Sequence, residues 1–124
     1  MFRLIIAPLV LAPAFIGFGL HLLKTFGMFD AILQAEYQRH RDAWNADGRP
    51  QGFFWRTSAA TEIMGLTRLH LLHQWMRATP EWAVKDEDAS RLFDNYQRVA
   101  RYRWHWMVAC MASVTFAGIA MSFL

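Results

Sequence analysis

Five histidines are the side chains of this sequence best suited to hold a metal or a cofactor, and their spacing sorts them. His70 and His73 stand three apart in "HLLH", so on a helix they share a face, a geometry that metal and cofactor sites in helix bundles use. No E-x-x-H motif accompanies them, and Glu62 is the only carboxylate on that stretch. They read first as polar-face or core histidines and second as metal ligands. His21 and His105 come from the two ends of the chain, three residues before Lys24 and two after Arg103. An antiparallel hairpin would bring them to similar depth, and ligation of haem b by two histidines needs such a pair on facing helices.

Other chemistries find less. The sequence has no G-x-S-x-G and no P-loop, and Asp86-Glu87-Asp88 reads as a solvated loop rather than an acid/base pair. Cys110 is the single cysteine, so an internal disulfide and C-x-x-C redox chemistry are both excluded. The expectation is a protein that is not an enzyme, with no catalytic residues, no metal and no cofactor beyond the haem alternative.

These residues are carried by elements whose apolar lengths are the strongest signal in the chain. From Trp104 to Leu124, 21 residues pass without Lys, Arg, Asp or Glu. At about 1.5 Å per helical residue that run matches the roughly 30 Å hydrocarbon layer of a bilayer. Between Arg3 and Lys24, "LIIAPLVLAPAFIGFGLHLL" has His21 as its one ionisable member. Pro8 and Pro13 would break a soluble helix but are tolerated in transmembrane ones. A secretory signal peptide competes for this segment, since Arg3 gives a basic start and Ala12-Pro13-Ala14 a loose cleavage pattern, yet the apolar run continues to Leu23.

Residues 24–103 hold 12 of the 13 basic residues and all 10 acidic ones, a net charge of +2. That mixed surface, with no recognition motif, argues against a nucleic-acid partner. Cytoplasmic flanks of membrane spans collect Lys and Arg, so both termini are expected in the periplasm and the middle region in the cytoplasm of a bacterial inner-membrane protein. Tyr102, Trp104 and Trp106 form an aromatic belt where the second span begins.

Inside the middle region, Phe29, Ile32, Leu33, Tyr37 and Trp44 recur at helical spacing, with Asp30, Glu36, Gln38, Arg39 and Arg41 expected on the opposite, polar side. "NADGRPQG" punctuates the chain, and "FFW" after it reads as a core anchor. Thr57 or Ser58 is expected to cap a helix over "AATEIMGLTRLHLLHQWMRA", with Glu62 in its first turn and an apolar stripe of Ile63, Leu66, Leu69, Leu72 and Met76. "EWAVKDEDAS" reads as an exposed connection. A last helix with the stripe Leu92, Tyr96 and Val99 is expected to run unbroken into the second span for about 36 residues.

The fold class is therefore all-α: two transmembrane helices in an antiparallel hairpin, residues 1–24 and 104–124, with a small cytoplasmic helical headpiece, residues 25–103, between them. The partners expected are the lipid bilayer and either another membrane protein or a second copy. Arg77 and Trp82 are the candidate exposed anchors. Ala109, Ser113 and Ala117, four apart, form a small-residue face for helix contact.

The order of these features is similar to that of a known family. A first span, a helix ending in "HRDAWNADGRPQGFFW", a leucine-rich "LTRLHLLHQWMR", and "LFDNYQRVARYRW" leading into a terminal span resemble universal stress protein B and the small two-span bacterial inner-membrane proteins like it. The connection "RATPEWAVKDEDAS" is longer than that pattern has. The resemblance implies an accessory or adaptor protein made under stress, and brings no catalytic residues.

Overall fold

The computed structural model describes residues 2–61 and 65–123, and every regular element among them is helical. The chain runs α1 (Phe2–Arg39), α2 (Arg41–Ala46), α3 (Leu66–Arg77), α4 (Glu81–Val84), α5 (Glu87–Ala100) and α6 (Arg103–Phe123). It divides into two compact units, one made of Met1–Leu23 with Arg101–Leu124 and the other of Lys24–Ala100. Parts of α1 and α6 are long and apolar enough to cross a membrane. Pro8 and Pro13 lie inside α1, which continues through both of them.

In the first unit the large apolar side chains face outward. Leu9, Ile16, Leu20, Met111, Phe116 and Ile119 are all exposed, while the small residues Cys110 and Ala117 are buried. The Cys110 thiol donates to the Ala14 carbonyl at 3.5 Å, and Gly17 lies directly against the indole of Trp106. The hydroxyls of α6 turn back onto their own helix: Ser113 bonds the Ala109 carbonyl at 2.7 Å, Thr115 that of Met111 at 3.0 Å, and Ser122 that of Gly118 at 2.9 Å. A helix whose polar side chains are satisfied internally has nothing to lose by leaving water.

The second unit is built the other way round. Phe29, Ile32 and Leu33 of α1, Trp44 of α2, Leu71, Leu72 and Trp75 of α3, Ala83 of α4, and Phe93 and Tyr96 of α5 form one buried core. Trp75 sits at its centre, 5.1 Å from the Phe29 ring and 5.3 Å from that of Phe93. From α5, the Tyr96 hydroxyl donates to the Leu72 carbonyl at 2.8 Å and the Gln97 amide to the Trp75 carbonyl at 3.0 Å. Two carbonyls near the end of α3 thereby gain partners from a neighbouring helix.

Several expectations are corrected here. α3 starts at Leu66, not beside Thr57: Gly65 precedes it in the left-handed conformation (φ 70°), and the residues after Thr57 form a turn in which the Ala60 N–H donates to the Thr57 carbonyl at 3.2 Å. Glu62 and Ile63 lie outside the described residues. Leu66 and Leu69, assigned to the apolar stripe, are exposed, because α3 turns Leu71, Leu72 and Trp75 inward instead. On α5 the buried set is Ala89, Phe93, Tyr96 and Ala100, with Leu92 and Val99 at its margin. The terminal helix is interrupted by a turn at Arg101-Tyr102, after which the Tyr102 carbonyl accepts the Trp106 N–H to begin α6. "EWAVKDEDAS" is not a bare loop, since it contains α4 and buries Ala83.

The largest correction concerns the polar side of α1. Asp30 and Glu36, expected in solvent, are 6% and 0% exposed. Asp30 is buried because it organises the "GFFW" segment: one oxygen accepts the Phe53 N–H at 2.7 Å, and the other accepts those of Phe54 and Trp55 at 2.6 and 2.8 Å. The chain can approach so closely because position 52 is glycine, where a Cβ would collide with the Asp30 carboxylate. Phe53 and Trp55 consequently pack on the core, while Phe54 stays exposed.

Candidate functional site

The densest cluster of titratable groups forms where α1 gives way to α2, against α4 and the start of α5. α1 ends at Arg39, and His40 adopts a non-helical conformation (φ −131°, ψ 55°) before α2 resumes. That break turns the imidazole toward the other half of the unit, where its Nε2 lies 2.8 Å from Asp86 Oδ2. Arg39 approaches the same oxygen at 3.3 Å and Asp88 at 3.4 Å. The bond to His40 is the first cause holding the Asp86 carboxyl below its ordinary range, followed by the Ala89 N–H and then Arg39. Asp86 also begins α5, accepting the Ala89 N–H at 3.2 Å, so one side chain joins a helix start to the end of α1.

The other face of the imidazole meets Trp82, with ring centroids 4.8 Å apart. Arg39, His40, Arg41, Asp42, Ala43 and Trp82 line an open groove of about 430 Å³. Beneath, one helical turn before His40, lies the fully buried Glu36. Neither of its carboxyl oxygens is within 3.5 Å of a hydrogen-bond partner, and its polar neighbours are the buried indole N–H of Trp82 and the Asp47 carboxyl group. Burial first, and then the neighbouring Asp47 carboxyl group, push the Glu36 pKa up to about 9, against the Trp82 N–H, which favours the ionised form. Glu36 is therefore a neutral acid at pH 7, enclosed with Trp82 and Asp47.

Of this cluster, the sequence offers Trp82 as an exposed anchor and Asp86 as part of a solvated acidic loop, and joins neither of them to His40. Its one sequence signal is "EYQRH", which sets Glu36 and His40 four apart on one helical face. Asp86, 46 residues away from His40, could not be joined to it by any local pattern. The residues that were singled out are dispersed. His70 and His73 are both exposed on α3, and among the described residues no group of three or more His, Cys, Asp or Glu side chains is placed to hold a metal. His21 is buried, whereas His105 is exposed with its ring 5.7 Å from that of Tyr102.

Arg77 is exposed, as an anchor for a partner would be. Trp82 is not, because it packs against Trp75 and Phe93 with centroids 6.4 and 5.8 Å away. Ala117 is buried within the first unit, with Ala109 and Ser113 half-buried, so this face is already largely covered. Comparison with known proteins finds no matching family model, no matching curated protein and no matching solved structure.

Proposed function

We propose that the chain is a small integral protein of the bacterial inner membrane, anchored by a two-span antiparallel hairpin, which holds its helical second unit at the cytoplasmic face as a non-enzymatic accessory or adaptor. The observation that carries this reading is the first unit's inverted surface: outward Leu, Ile, Met and Phe, buried small residues, and α6 hydroxyls bonded to their own helix. Such a surface is expensive in water and favourable in lipid, at roughly 25 cal/mol per Å² of apolar area. Orientation follows from the 12 basic residues between the spans. The resemblance to universal stress protein B-like proteins adds a role under stress.

The partner of an adaptor would meet the second unit on its exposed side, where Leu66, Leu69 and Arg77 of α3 stand outward with Phe54 and Val84. These replace Trp82 as candidate anchors. Reporters fused after Leu124 and inserted near Lys85 test the arrangement. The first should behave as periplasmic and the second as cytoplasmic, and the reverse pattern overturns the orientation. Purification in mild detergent should yield a colourless protein with a co-purifying membrane partner that Arg77→Ala or Leu69→Ala weakens. A stoichiometric Soret band sensitive to reduction and lost in His105→Ala would replace this reading with haem b ligated by His21 and His105.

A further inference from the structure

We propose that Glu36 is a proton-binding site that latches α4 to the end of α1, so that releasing one proton frees Trp82 and opens the groove beside His40. The proposal stands on the second unit alone and does not require the membrane reading. Its first support is geometric. Glu36 is 0% exposed, and the polar groups that reach it are the buried indole N–H of Trp82 on α4 and the Asp47 carboxyl group just beyond α2. A carboxyl group enclosed with one indole N–H and a second carboxyl group is tolerated there only while it carries its proton.

Among the described residues, no cation is one of the groups that act on Glu36. Asp47, just beyond α2, is a second carboxylate and works against ionisation. On the helix carrying Glu36 and on the groove rim are Arg39, His40, Arg41 and Asp42. From the α4–α5 side, Asp86 takes His40 and Arg39, and Asp88 takes Arg39 as well. Arg41 lies over the Tyr37 ring at 3.6 Å and bonds the Tyr37 carbonyl at 2.8 Å. α3 contributes Leu71, Leu72 and Trp75 to the core and commits Arg68 to the Gly52 carbonyl at 3.0 Å. The nearby cations thus have acceptors of their own, and the covering element is the shortest helix in the unit. α4 has four residues and docks through Trp82 and Ala83.

The sign of the response follows. In the closed form the proton stays on Glu36 up to about pH 9, whereas a solvated Glu36 would lose it near its ordinary value of 4.5. Anywhere between those values opening releases one proton, so each pH unit favours the open form about tenfold. Closure is complete on the acid side and yields as pH rises. His40, on the groove rim, is hydrogen-bonded to Asp86.

Amide hydrogen exchange of α4 in the full chain in detergent micelles, corrected for intrinsic rates, tests this. Between about pH 6 and about pH 8 the opening constant of residues 82–85 should rise about 100-fold in the wild type and stay flat in Glu36→Gln, which keeps the shape of the protonated acid. Asp47→Asn removes a neighbouring negative charge and should shift the response toward lower pH. The infrared carbonyl band of a protonated carboxylic acid should be present at neutral pH and missing in Glu36→Gln, a readout that a structural glutamate would not move. An α4 exchange with no pH dependence, the same dependence in Glu36→Gln as in the wild type, or no such band would each overturn the proposal.

Discussion

The two units solve opposite problems with the same secondary structure. In the first, α6 and the apolar part of α1 bury alanine, cysteine and glycine contacts and send leucine, isoleucine, methionine and phenylalanine outward. In the second, α1 through α5 enclose tryptophan, phenylalanine and tyrosine around Trp75, and leave most formal charges at the surface. Helices that pack in lipid gain little from burying apolar area and need close backbone approach, so small residues mark their contacts. Helices that pack in water gain from burying large side chains, which then mark theirs. The few polar groups in the second core, Asp30 and Glu36, consequently stand out. Asp30 is held by three backbone donors, whereas Glu36 is enclosed with a second carboxyl group beside it and its pKa is pushed up to about 9.

Breaking the polar anchor of the second unit should have the largest effect. Asp30→Ala leaves the Phe53, Phe54 and Trp55 N–H groups without their acceptor and should cost at least about 4 kcal/mol in denaturant unfolding followed by tryptophan fluorescence. Asp30→Asn retains one accepting oxygen and should fall between that variant and the wild type. The first unit should respond to a change of the opposite kind. At Gly17 a single added methyl group meets the Trp106 ring, so Gly17→Ala should cost about 1–3 kcal/mol in micelle unfolding. Combining it with Trp106→Ala should recover part of that loss, whereas additive costs would show that the two positions are not in contact.

The smallest effect sharpens the comparison further. Leu69 would be a core leucine by spacing, and its truncation would then cost about 2–4 kcal/mol. It is 46% exposed, so Leu69→Ala should change stability by less than about 0.5 kcal/mol and leave protease sensitivity as it was. A large loss on Leu69→Ala in a binding assay, with stability intact, would mark α3 as the surface an adaptor uses.

The sequence by itself determined the all-helical class and the two apolar stretches long enough for a bilayer, because both are set by composition summed over some twenty residues. It also determined the turn around Gly48, where Gly48 and Arg49 both take positive φ and the Trp44 carbonyl accepts the Arg49 N–H at 3.0 Å. Only the tertiary structure decided which polar residues leave water. Helical periodicity assigns Asp30 and Glu36 to the solvent side because it knows one helix at a time. Their burial is imposed by residues 52–55 and by Trp82, which reach α1 from more than twenty and more than forty positions further along the chain. The same holds for the His40–Asp86 pair and the interruption before α6. Each depends on which distant groups are available to satisfy a side chain or a helix end, and no local pattern encodes that supply.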